Sequence, residues 1–161
     1  VIPLRRTDQA LLQLIDGAQK RLHVVSFAVY KVEAVGQAII DAVERGVSVS
    51  IYLETPDASQ GRIAFDTIGA LGDKVVRRVH LFVWPLEERL RTVEGRHGSL
   101  HAKVAVADRD TMLVSSANLT EYAMKLNMEL GVLVHGGPLP GQVATHLERL
   151  VELGVFRGVQ M

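Results

Sequence analysis

Apolar and polar positions along this chain follow two different periods, and each change of period marks the edge of an element. Ala10, Leu11, Leu14, Ile15 and Ala18 recur at helical spacing, with Thr7 or Asp8 placed to cap the helix and an end near residues 17–20. RLHVVSFAVY (21–30) is short and rich in Val, Phe and Tyr, which predicts a buried strand. Val35, Ala38, Ile39, Ala42 and Val43 lie on one helix face that Gly46 ends, and VSVSIYLE (47–54) reads as the next strand. This strand, helix, strand order predicts a βαβ unit with a right-handed crossover.

Beyond it, TPDASQG (55–61) is a polar loop at the carboxyl end of a strand, where α/β proteins commonly bind ligands. A helix is predicted over 62–71 and a strand over 79–84 that Pro85 stops. Residues 85–99 mix charges with two glycines and read as an excursion with a short helical turn. LHAKVAVAD (100–108) and TMLVSS (111–116) predict an antiparallel hairpin turning at Asp108-Arg109-Asp110. A short helix over 118–126, a strand over 128–134 and an amphipathic helix over 142–153 complete the pattern.

Length and composition narrow the class. The chain has 161 residues, 48% hydrophobic and 22% charged, enough to bury a core, so one domain over 1–161 is expected and disorder is excluded. The absence of cysteine excludes disulfide scaffolds, thiol catalysis and thiolate zinc sites. No apolar run reaches a membrane span and VIPLRRTDQ carries no signal-peptide core, although a first residue of Val leaves room for a trimmed leader. No membrane partner is expected, and the cytoplasm is the expected setting. Basic and acidic side chains balance at 18 each, but residues 73–103 hold seven basic against four acidic. Any anion site is therefore local.

That basic stretch leads into the chemistry. His101, Lys103 and Asp108 stand in the order H-x-K-x-x-x-x-D, followed by Ser116-Ala117-Asn118 and Glu129. On a strand, His101 and Lys103 share a face, with Ala102, Val104 and Val106 turned to the core. An isolated His-x-Lys is more often a strand edge with a solvated lysine; the longer pattern argues against that. Histidine titrates near pH about 6.5, so it can act as a nucleophile or a general acid near neutrality. Lys103 and Asn118 would supply a charge and an amide to an anion that develops in the reaction. Ser116 would donate to the same anion or cap the next helix, and Glu129 would hold the His101 ring through its other nitrogen. Arg96 and His97, ahead of the motif, are candidate substrate contacts. Tyr30 is a candidate pocket residue, and Phe27 is expected to pack.

The sequence resembles the phospholipase D superfamily over most of its length, most strongly over 100–129. The resemblance rests on H-x-K-x-x-x-x-D, SSANLT and NMELGVLV. One departure is Ser115, where the family commonly has Gly before the motif serine. The resemblance implies an α/β/α sandwich with a central mixed sheet. It also implies a phosphodiesterase that forms a phosphohistidine without a cofactor or metal, with Asp108 as a structural member of the motif residues. The chemistry asks for two histidines and the chain holds one motif, so an obligate homodimer with a composite site is expected. Size and the single motif favour the endonuclease-like branch acting on DNA, single-stranded DNA included. A phospholipase or cardiolipin-type hydrolase is the runner-up, and a non-catalytic nucleic-acid-binding module the third reading. LHAKVAVAD and SSANLT also resemble the phospholipase-D-like components of DISARM anti-phage systems, which implies partner proteins in defence.

Overall fold

A computed structural model describes residues 6–26, 28–30, 32–56 and 66–159. In chain order the elements are α1 (Thr7–Gly17), β1 (Arg21–Ser26), β2 (Val29–Tyr30), α2 (Glu33–Glu44), β3 (Ser48–Leu53), α3 (Thr67–Leu71), α4 (Asp73–Val76) and β4 (His80–Val83). They continue with a 3-10 turn (Leu86–Glu88), β5 (Val104–Ala107), β6 (Thr111–Ser115), β7 (Leu119–Thr120), α5 (Glu121–Lys125), β8 (Gly131–His135), α6 (Leu139–Glu152) and β9 (Arg157–Gly158).

Seven strands form one mixed sheet in the order β8-β6-β5-β1-β3-β4-β9. β1, β3 and β4 run parallel, joined through helices as the βαβ reading requires, while β5, β6 and β8 form an antiparallel meander against β1. Helices cover both faces. On one, Leu11, Leu14 and Ile15 of α1 and Val35, Ile39 and Ala42 of α2 pack on Leu22, Val24, Val49, Ile51, Ala105 and Ala107. On the other, Leu147 of α6 packs with Val25, Tyr52, Leu100 and Phe156, and Ala144 with Val106 and Met112. Alternate residues of β1 and β5 thus face opposite cores, as the two-residue period of a strand dictates. This is the expected α/β/α sandwich with a central mixed sheet.

Several edges move. The strand expected over 21–30 stops at Ser26, whose Oγ donates to Ala28 O (2.8 Å), and residues 29–30 leave the sheet to pair with β7. The helix expected from Asn118 starts at Glu121, because Thr120 accepts from Ala123 N (3.1 Å) as its cap. The last helix begins at Leu139 rather than 142; Pro140 fits its first turn, which needs no N–H there. α1 begins at Thr7 with neither Thr7 nor Asp8 as cap: Arg6 precedes it and pairs with Asp8 at 2.7 Å. α4 and β9 had no periodic signal. The start of the helix expected over 62–71 and most of the loop over 55–61 lie outside the described residues, as do Phe27 and the side chain of Tyr30. Among the described residues no helix is long and apolar enough to cross a membrane.

Candidate active site

The parallel strands β1 and β3 and the antiparallel β6 end on the same side of the sheet, and β5 begins there, opposite Val25. His101 and Lys103 lie just ahead of β5. They are not strand residues: β1 ends its pairing at Val25–Val104, and beyond Val104 Ser115 N–H donates to Lys103 O (3.2 Å). Ala102, expected in the core, is exposed for the same reason, and so is His101. Proximity survives the change of conformation. Lys103 Nζ donates to His101 O (2.7 Å) and lies 3.2 Å from His101 Nδ1. Partial burial presses the Lys103 ammonium below its ordinary pKa, with the negative charge of Glu129 pulling the other way.

The next part of the site lies where β6 hands over to β8. Ser116 Oγ donates to Glu129 Oε2 and accepts from Leu130 N (3.1 Å), while Ser116 N donates to Leu130 O (3.0 Å). Asn127 Nδ2 donates to the other carboxylate oxygen at 3.1 Å. The expected bond from Glu129 to the His101 ring is not among these. Glu129 holds Ser116 and Asn127, and the Nδ1 face of His101 meets Lys103. Ser116 does not cap the next helix, a task Thr120 performs. Asn118 Oδ1 is buried and makes no hydrogen bond among the described residues, so its amide is not committed to structure.

Ser115 takes the family's glycine position without disturbing the turn. Its Oγ accepts from Ala117 N (3.1 Å), and the residue paired with it across the ladder is Gly131. A Cβ on Gly131 would sit 2.9 Å from Ser115 Cβ and from Val114 O.

Asp108 is elsewhere. β5 separates it from Lys103, about 15 Å at the usual rise per residue. Its Oδ1 accepts from Lys20 N (2.7 Å) and Arg21 N (2.9 Å), and its Oδ2 from Gln19 N (2.8 Å). Burial alone would raise its carboxyl, but the N–H donors of Arg21, Gln19 and Lys20 outweigh that, with help from the Lys20 charge, and hold it below the ordinary value. Asp108 and Arg109 have φ of 52° and 60°, the left-handed pair of a type I′ turn, closed by Asp110 N to Ala107 O at 3.0 Å. Asp108 therefore joins the catalytic list by sequence only.

Arg96 and His97 lie on the excursion over 85–99. Arg96 is exposed in a turn held by Thr92, and His97 is half-buried and bridges Arg91. The same stretch brings two residues that the sequence reading missed, Glu54 and Arg89, both fully buried and paired at 2.8 Å. A glutamate closing the strand VSVSIYLE, directly after Ile51, Tyr52 and Leu53, was the one available signal; nothing marked Arg89 as its partner.

Residues 11–151 match the family model described as cardiolipin synthase, PLD-like domain. The DISARM protein DrmC of Bacillus paralicheniformis is 28% identical over 138 residues, which cover 84% of this chain and 52% of that protein. Cardiolipin synthase A of Pseudomonas aeruginosa is 32% identical over 143 residues, covering 85% of this chain and 26% of that protein. The chain thus spans about half, or about a quarter, of the length of these curated relatives. Among solved structures, NucT from Helicobacter pylori superposes with TM-score 0.75 at 18% identity, covering 94% of this chain and 89% of that one. Nuc from Salmonella typhimurium, a phospholipase D family member, gives TM-score 0.69 at 22% identity over the same shares. The family match over residues 11–151 places this protein in the phospholipase D-like domain family.

Proposed function

We propose that the chain is a phosphodiesterase that works without a metal as a homodimer, and that its substrate is DNA. The observation that carries the reading is the exposed His101 imidazole in contact with Lys103, close in sequence to an uncommitted Asn118 amide and a Ser116 held by Glu129. His101 Nε2 attacks phosphorus and displaces an alkoxide. The same histidine of a second copy gives that alkoxide its proton, and then takes one from the water that frees the first histidine. Lys103, Asn118 and Ser116 stabilise the charge that develops on the phosphoryl oxygens. Glu129 acts through Ser116 and through its attraction for the Lys103 ammonium.

A second copy has a surface to meet. Leu126, Met128, Leu130 and Val132 are exposed, and Met128 and Leu130 flank Glu129. Apolar side chains gathered beside an incomplete site suit a two-fold contact that brings both copies of His101 together. Arg96 and His97, on the basic stretch ahead of the motif, are proposed to touch substrate, as is Tyr30. The likeness to DrmC supports work alongside defence-system proteins, and the cytoplasm is the proposed setting.

Hydrolysis or transfer of phospholipid diesters is a second reading, favoured by the 32% identity to cardiolipin synthase A and by Leu90 and Val93, both fully exposed on the excursion. The two separate in one experiment. Purified protein is incubated in EDTA with single-stranded DNA, duplex DNA, RNA and phospholipid vesicles, beside a His101→Ala control. DNA cleavage that persists in EDTA and vanishes in the variant supports the first reading. Turnover of vesicles alone supports the second, and activity only with added divalent metal defeats both.

A further inference from the structure

We propose that the buried Glu54–Arg89 pair is a positioning device that sets the backbone carrying His101. The proposal rests on the reading of His101 as the reacting group. Arg89 meets Glu54 end-on, Nη2 to Oε1 at 2.8 Å and Nη1 to Oε2 at 2.9 Å, and both side chains are 0% exposed. The rest of the guanidinium gathers the two ends of the excursion. Nε (3.0 Å) and Nη2 donate to Trp84 O, where the chain leaves β4, and Nη1 donates to Gly98 O (2.9 Å), where it returns. The guanidinium carbon also sits 4.8 Å from the Trp84 ring centroid.

Glu54 carries the connection to the site. Its Oε2 accepts from Leu100 N at 2.8 Å, one residue before His101, and its Oε1 accepts from Thr55 N at 3.2 Å. Leu100 is in turn buried with Val25, Tyr52 and Phe156. Glu54 directly follows β3, an interior strand of the sheet, so the peptide ahead of His101 is tied to the sheet's interior.

Hydrophobic burial gives the excursion little help in staying ordered, because Leu90 and Val93 both point to solvent. A buried ion pair is also a poor device for stability alone, since both charges must be dehydrated. Its geometry is suited to fixing directions: a planar fork, two carbonyls from opposite ends of a loop, and one amide next to the reacting histidine. Catalytic groups held by such secondary contacts lose turnover when the contacts slacken, even where binding is unchanged.

The test uses the whole chain. Amide exchange followed by NMR is expected to show Leu100 N–H protected to the level of the β1 and β3 amides; exchange at the rate of an open loop would overturn the proposal. The double variant Glu54→Leu/Arg89→Met removes both charges, so neither is left buried alone. It is expected to unfold cooperatively, lose the Leu100 protection, shift or broaden the His101 ring signals, and lower kcat about tenfold with KM within about twofold. A folded double variant with wild-type ring signals and wild-type kcat would also overturn it. Amide protection and ring signals need no substrate, so an inactive wild-type protein would count against the phosphodiesterase reading alone.

Discussion

At one end of β5 stand His101 and Lys103, an exposed imidazole and a half-buried ammonium 3.2 Å apart; at the other stands Asp108, its carboxylate taken up by three backbone N–H groups. All three belong to one eight-residue motif. The first end invests little in the fold: His101 is exposed and Lys103 leans on its own neighbour's carbonyl. The second end ties the β5–β6 turn to the junction of α1 and β1 and leaves no carboxylate oxygen for chemistry. Spacing in a motif therefore records a distance along a strand as well as a cluster of reacting groups. Asp108, a carboxylate of the same motif, is a staple, the structural role that the resemblance implies.

Substitutions can break this comparison. His101→Ala should lower turnover of a phosphodiester by at least about 1000-fold while leaving Tm unchanged, since the ring is exposed; steady-state rates beside a thermal melt check both halves. Lys103→Met should cost about 100-fold. In the wild type the alkaline fall in activity should begin below the ordinary lysine value, because Lys103 is depressed, and Lys103→Arg should move that fall upward. Glu129→Gln should cost about tenfold in kcat, because Ser116 loses its charged acceptor and Lys103 a favourable charge.

Asp108→Ala is the inverse case. Activity per folded molecule should stay within about twofold, while stability falls by about 2 kcal/mol, or about 4–8 °C in Tm. The sign with pH follows from the depressed carboxyl. Its contribution is fully present above the unfolded value of about 3.9 and is lost as pH falls through the lower, folded value. An acid melt of Asp108→Asn should lack that part of the loss.

What could be read in advance follows the range of the forces involved. The periodic signals of α2, β3 and β6 come from side chains meeting continuous core, and they placed these elements to within a residue or two. The ends of β1 and β5 were misplaced because a strand stops where its neighbour stops. Ser26 turning to Ala28 O removes the partner that residues 101–103 would have needed. The identities of His101, Lys103, Ser116, Asn118 and Glu129 were legible from spacing. Their bonding was not: nothing in the spacing marks Ser116 and Asn127 as partners of Glu129. Glu54 and Arg89 stand 35 residues apart with no periodic signal between them, and only the folded chain reveals that they meet.

The most direct measurement is to stop the reaction of a phosphodiester in EDTA with denaturant at high pH, where phosphohistidine survives, and locate the attached group by mass spectrometry. The adduct should sit on His101 in the wild type and in Asp108→Asn, and be absent from His101→Ala. An adduct on another residue, or steady turnover in the His101→Ala protein, would contradict the division of labour between the two ends of β5.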